Sequence, residues 1–199
     1  MKAANGMVTA FVGDVHGQLD PLVKIVSLAS TQAERLVFLG DYINRGDQSR
    51  QVLDFLIDLK ANLPDTHFLR GHHEEALLRA IDENNSAGFI RIGGAATLSA
   101  YPRRASSESL SDRMPASHIR FLRDLEEVYQ QADLRAAHAP MLNEIKGKPL
   151  YGVFGHAVQA RGVPLITDKY ALIDTGCGSI SGYPLTCFIW PSRKWFQVT

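Results

Sequence analysis

No charge of either sign dominates this chain. Lysine plus arginine and aspartate plus glutamate total 21 each, so the formal net charge is zero, and no overall field recommends a nucleic acid or an anionic membrane surface as partner. Its longest basic run is only Arg103-Arg104, which reads as a solvated loop. Long apolar runs are missing as well. The first, Met7 to Val12, passes straight into Gly13-Asp14 and is too short for a signal-peptide core or a membrane span, which leaves a cytoplasmic protein as the expectation. Cysteine is scarce: Cys177 and Cys187 stand alone, without the Cys-x-x-Cys spacing of a zinc knuckle, and read as reduced structural thiols. There is no repeat of solenoid length and no linker. With 199 residues, 45% of them hydrophobic, the chain suffices for one sizeable core and is short for two, so a single domain over 1–199 is expected.

What is present is a recurring unit. Met7 to Val12 reads as a buried strand, followed by a polar turn and the helical stripe Leu19, Leu22, Val23, Ile25, Val26, Leu28. The unit recurs as Leu36 to Leu39, Gly40 to Gly46, and Val52, Leu53, Phe55, Leu56, Leu59, and again as Thr66 to Leu69, Arg70 to Glu74, and Ala76 to Ile81. Three strand-turn-helix units in succession predict an α/β protein with parallel strands in one sheet and functional groups at the strands' carboxyl ends. Residues 83–116, rich in Asn, Ser, Gly, Pro and Arg, with four serines between Ser106 and Ser111, read as a surface excursion, a candidate lid. A helix is predicted over 116–128 with Ser117 as N-cap. Strands follow at 133–137, 151–154, 170–173, 185–189 and 195–198, the last two forming an antiparallel hairpin around Pro191-Ser192-Arg193.

The three polar turns hold the chemistry. In Gly13-Asp14-Val15-His16-Gly17 a carboxylate and an imidazole stand two apart, which in extended backbone aims both to one side, ready to grip one ion. Gly40-Asp41-Tyr42-Ile43-Asn44-Arg45-Gly46 adds a carboxylate able to bridge two ions, and an arginine able to fork onto phosphate or, more blandly, to pair with Asp47 or Glu74 on the surface. Arg70-Gly71-His72-His73-Glu74 adds two histidines, and His138 and His156 follow at later strand ends. Five of seven histidines thus stand at strand ends, a poor fit to chance; His67 and His118 are left as structural.

These motifs, in this order and spacing, resemble the calcineurin-like metallophosphoesterases, and among them the bacterial branch of the serine/threonine phosphoprotein phosphatases. The resemblance extends through Ile92-Gly93-Gly94-Ala95-Ala96-Thr97-Leu98, His138, Gly155-His156, Ile173-Asp174-Thr175-Gly176-Cys177 and Pro184-Leu185-Thr186, and so covers nearly the whole chain. It implies a β-sandwich flanked by helices, a four-layer αββα arrangement, with a centre of two divalent transition-metal ions (Mn, Fe or Zn). By the same resemblance Asp14, His16 and Asp41 hold one ion, and Asp41, His72, His138 and His156 the other. His73 corresponds to the catalytic acid, and Arg45 and Arg70 to phosphate-binding arginines. The expected activity is hydrolysis of phosphomonoesters, phosphoserine or phosphothreonine of a protein or a small phosphate ester, by water activated between the ions while His73 protonates the departing oxygen. Hydrolysis of dinucleoside polyphosphates or other phosphodiesters, and a weakly active metal-binding recognition module, are the rival readings.

Three departures stand out. His72 occupies a position where the family has asparagine, which shifts metal preference toward softer ions. Asn44 stands where the family has the aspartate that orients the catalytic histidine. The stretch Pro140 to Gly155 is short and lacks the family's Trp-x-Arg arginine, for which Arg103 or Arg161 is the candidate replacement.

Overall fold

A computed structural model describes residues 7–103, 109–140, 144–145 and 148–199; Arg104, Ser106, Ser107 and part of the Pro140 to Gly155 stretch lie outside them. The first unit is strand β1 (Thr9–Val12) and helix α1 (Leu19–Ala29), the second β2 (Arg35–Phe38) and α2 (Ser49–Asn62), the third β3 (His67–Phe68) and α3 (His72–Asp82). Short helices α4 (Ala87–Phe89), α5 (Ala95–Ala100) and α6 (Leu110–Arg113), with a wide turn at Ile90–Gly94, lead to α7 (Ala116–Arg123). The remainder is strands: β4 (Val128–Gln131), β5 (Leu134–Ala137), β6 (Glu144–Ile145), β7 (Lys148–Pro149), β8 (Tyr151–Phe154), β9 (Leu165–Ile166), β10 (Tyr170–Leu172), β11 (Leu185–Trp190) and β12 (Lys194–Val198).

Two five-stranded sheets form, in the orders β12-β11-β1-β2-β3 and β4-β5-β8-β10-β9, and β6 pairs with β7. The predicted parallel pairing is present, β1 with β2 and β2 with β3. It recurs in the second sheet, β5 with β8 and β8 with β10. β11 and β12 form the expected antiparallel hairpin.

The near-continuous apolar strands follow from burial on both faces. Side chains alternate along a strand. Ala10 and Val12 of β1, with Leu36 and Phe38 of β2, pack against the helices. Phe11 and Val37 point the other way, into a core shared with Tyr151, Val153 and Phe188 between the sheets. The architecture is therefore a β-sandwich flanked by helices, whose buried faces, such as Leu22 and Ile25 of α1, Val52 and Leu56 of α2 and Leu77 of α3, cover the outer face of the first sheet.

Two local expectations are corrected. The helix over 116–128 ends at Arg123, and Ser117 is its second residue, behind Pro115 as N-cap. Beyond it the chain is captured by the edge of β3: the Glu126 N–H donates to the Phe68 carbonyl at 2.9 Å and the Arg70 N–H to the Glu126 carbonyl at 2.7 Å. Leu125 and Val128, which continue a helical stripe in sequence, thus lie outside the helix, Val128 opening strand β4. The excursion of 83–116 is not all surface, since Phe89, Tyr101, Leu110 and Met114 enter the helix-side core. Its helices are too short to show an apolar stripe.

Candidate metal centre

Parallel strands in register bring their following turns to one edge. In the first sheet that edge carries Gly13-Asp14, Gly40-Asp41 and Arg70 to His73; in the second it carries His138, Gly155-His156 and Ile173-Asp174. Cross-sheet hydrogen bonds join the two edges. His138 Nδ1–H donates to the Leu39 carbonyl at 2.9 Å, and the His156 N–H reaches the Asp14 carboxylate at 3.2 Å. Two glycines allow this approach: a Cβ at Gly71 would collide with the Asp41 carboxylate, and one at Gly155 with that of Asp14.

All six predicted ligands converge, in three overlapping triads whose donor atoms lie within 4.8 Å of one another: His16 with Asp41 and His73, Asp14 with Asp41 and His138, and His72 with His138 and His156. Asp41 Oδ2 lies 3.8 Å from His16 Nε2, 3.8 Å from His73 Nε2 and 3.4 Å from His138 Nε2. Asp14 and His16 share none of the three triads, and His16 lies at φ 45°, outside the extended backbone that their spacing suggests. Asp41, Asn44, Arg45 and His156 also hold positive φ, so backbone strain gathers where the donors meet.

The donor set suits a cation. His16 Nδ1–H donates to the Ile43 carbonyl at 3.0 Å, as His138 Nδ1–H does to Leu39, so each ring turns an unprotonated Nε2 inward. Among the described residues the buried Nε2 of His138 has no hydrogen-bond partner, a lone pair awaiting an acceptor of electrons. Burial holds both rings neutral, pushing each down to about 4. It also drives the Asp14 carboxyl well up, helped by neighbouring Asp174 and Asp41. Asp174 is raised chiefly by its own burial. Burial works against ionised Asp41 too, but His138, His16 and His73 outweigh it and hold that carboxyl below its ordinary value. Buried carboxylates that repel one another are what a divalent ion relieves.

The remaining predicted residues are placed as follows. His73 is buried beside Asn44, its Nδ1 2.6 Å from the Asn44 amide nitrogen. Arg45 donates to His16 Nε2 at 2.9 Å and contacts Ser179 Oγ, not Asp47 or Glu74. Arg70 is engaged away from the histidines, with Glu127 at 2.7 Å and the carbonyls of Arg123 and Leu125. Arg103 lines a separate cavity with Asn84 and Arg113. His67 bonds Glu126 at 2.9 Å, and His118 is held between Tyr101 at 2.6 Å and Asp54 at 2.8 Å, both outside the centre.

Sequence reasoning missed Glu74. It is fully buried, and its carboxylate accepts the N–H groups of Asp41 at 2.8 Å, Tyr42 at 2.9 Å, Ile43 at 3.3 Å and Gly71 at 3.1 Å, so it ties the Asp41 turn to the start of α3. Burial, with Asp41 beside it, raises its carboxyl to about 8. A signal was available: a glutamate three residues past the N-cap Gly71 is a capping-box position. Asp174, the third carboxylate of the cluster, was passed over as well.

A family model described as calcineurin-like phosphoesterase matches residues 7–159. The Drosophila melanogaster serine/threonine-protein phosphatase rdgC is 30% identical over 121 residues, a stretch that is 59% of this chain and 15% of that protein. Among solved structures, one provisionally assigned as a diadenosine tetraphosphatase is similar over 98% of this chain and 94% of its own, with TM-score 0.66 and 19% identity. A metallophosphoesterase from Sphaerobacter thermophilus covers 98% and 89%, with TM-score 0.61 and 17% identity. A cold-active protein-tyrosine phosphatase from a Shewanella species covers 97% and 80%, with TM-score 0.64 and 16% identity. At these identities the structures speak to fold. Among the described residues no helix is long and apolar enough to cross a membrane.

Proposed function

The chain belongs to the calcineurin-like phosphoesterases, metal-dependent hydrolases of phosphate esters, and from that premise we propose that it is a two-metal phosphomonoesterase. The observation that carries the reading is the convergence of Asp14, His16, Asp41, His72, His138 and His156 on one place, linked through Asp41 and His138, with His138 Nε2 buried and without a hydrogen-bond partner among the described residues. Asp14, His16 and Asp41 would hold one ion and Asp41, His72, His138 and His156 the other, with manganese, iron or zinc as the fitting metals. Bound there, such ions would supply Lewis acidity toward the phosphoryl oxygens and acidify a water.

The chain's own groups do the rest. His73, its Nε2 edge 3.8 Å from Asp41 and so turned to the centre, is the donor that meets the leaving oxygen. Arg45, beside His16 and Ser179, is placed to fork onto a phosphate. Arg70 could join it only by leaving Glu127, a partly exposed pair worth about 0–1 kcal/mol. Glu74 holds the Asp41 turn still. We infer a cytoplasmic enzyme, consistent with two buried free cysteines.

A second reading, dinucleoside polyphosphate hydrolysis, draws on Asn44: without a carboxylate behind His73, leaving groups that depart as stable anions are favoured. The diadenosine tetraphosphatase assignment of the similar structure agrees with it. One panel separates the two. Metal-stripped protein reloaded with manganese or zinc is offered p-nitrophenyl phosphate, bis-p-nitrophenyl phosphate, diadenosine tetraphosphate and a phosphoserine peptide. Metal-dependent turnover of monoesters is expected; turnover of the tetraphosphate alone selects the second reading, and failure to take up any divalent ion defeats both.

A further inference from the structure

Behind His73 lies a buried line of polar side chains from three elements. Asn44 follows β2, Ser49 opens α2 and Thr97 sits on α5; Asn44, Ser49 and Thr97 are each 0% exposed. The Asn44 backbone N–H is shared by Ser49 Oγ at 3.1 Å and Thr97 Oγ1 at 3.0 Å. Thr97 has one hydroxyl proton and two acceptors within reach, Asn44 Oδ1 at 2.7 Å and Ser49 Oγ at 3.0 Å. The shorter distance is that of a hydroxyl donating to a carbonyl. With its oxygen held by Thr97, the Asn44 carboxamide turns its NH2 to His73 Nδ1, 2.6 Å away.

We propose that Thr97 is a positioning residue: by pinning the Asn44 carboxamide it makes His73 Nδ1 an acceptor and fixes the ring proton on Nε2, facing the centre, which biases the enzyme toward esters whose leaving oxygen departs as a stable anion. The proposal rests on the reading of His73 as the group that meets the leaving oxygen. An aspartate at position 44 would accept a second ring proton and support full transfer from Nε2. The Asn44 NH2 can only donate, so His73 keeps its proton and lends a hydrogen bond. The P–O bond breaks with its electron pair on the leaving oxygen, which leaves unprotonated. Aryl oxides and phosphate groups of anhydrides tolerate this, whereas the alkoxides of serine and threonine do not.

The test reads the ring directly, so it does not depend on turnover. Protein with 15N-labelled imidazoles, loaded with zinc, is compared by long-range 15N–1H correlation for the wild type, His73→Gln to assign the signal, Thr97→Val and Thr97→Ser. The proton is expected on Nε2 in wild type and Thr97→Ser, with the preference lost in Thr97→Val. In manganese-loaded protein, kcat/KM should favour p-nitrophenyl phosphate over a phosphoserine peptide by at least about 10²-fold, the lower range of what proton donation contributes. Asn44→Asp should narrow that ratio by raising kcat on the peptide. A wild-type ring proton on Nδ1, an unchanged tautomer in Thr97→Val, or an Asn44→Asp gain equal on both substrates overturns the proposal. A sound tautomer with no hydrolysis of any ester instead defeats the phosphomonoesterase reading alone.

Discussion

The metal centre has two unlike halves. Asp14, His16, Asp41 and His138 are buried, and the two rings are locked by backbone carbonyls of Ile43 and Leu39. His72 and His156 are exposed, with Nδ1 atoms 3.1 Å apart and ring centroids at 4.4 Å, meeting edge to face at 61° at the mouth, and among the described residues no backbone carbonyl orients either ring. The buried donors are pre-organised at a cost in desolvation that only a cation relieves, while the exposed pair costs little and adapts easily. One half should therefore bind tightly and define the site, and the other should exchange its ion readily.

The comparison can be broken most severely at its shared residue. Asp41→Asn is expected to abolish uptake of both ions, measured by elemental analysis after dialysis, with a loss of turnover well beyond the roughly 10–100-fold that an outer-shell defect costs. Next, His138→Ala and His156→Ala should differ. The buried change should abolish uptake of the ion that His138 shares with His72 and His156, whereas the exposed one should only weaken that binding step in a calorimetric titration; equal effects would erase the distinction between the halves.

Glu74 tests the frame behind the buried half. Glu74→Ala orphans the buried N–H groups that converge on it, and the denaturant midpoint should report a loss of about 3 kcal/mol, with weakened metal binding.

The smallest effect is in pH. His16 and His138 are held down to about 4, below the ordinary 6.5, so between those values the unfolded chain binds protons that the folded one refuses. Their contribution to stability is complete above 6.5 and is lost as pH falls toward 4. Asp14 and Glu74, raised by burial, have the opposite slope. The measurement is therefore the difference in urea midpoint between metal-free wild type and His16→Asn/His138→Asn at pH 7 and pH 5. The wild type should lose more on acidification than the double variant.

Much of this was legible in one dimension. Apolar runs ending in Gly-Asp and Gly-His mark strands with donors at their carboxyl ends, and those donors do meet. The helix over 116–128 was overrun because Leu125 and Val128 keep a helical spacing while β3 offers hydrogen bonds that no local pattern announces. Phe89 and Tyr101 were lost in a polar stretch because isolated aromatics carry no period. Thr97 lies 53 residues from Asn44, and its link to that amide is a contact between side chains of different elements.

Residue chemistry and strand periodicity by themselves determined that aspartates and histidines would stand at the ends of parallel strands, since alternation and turn composition act over a few neighbours. Only the packing of one sheet on the other decided which donors share an ion, which nitrogen of each ring is free and how deep each lies. Those properties depend on carbonyls and carboxylates brought from distant parts of the chain, by a core whose contacts have no counterpart in sequence order.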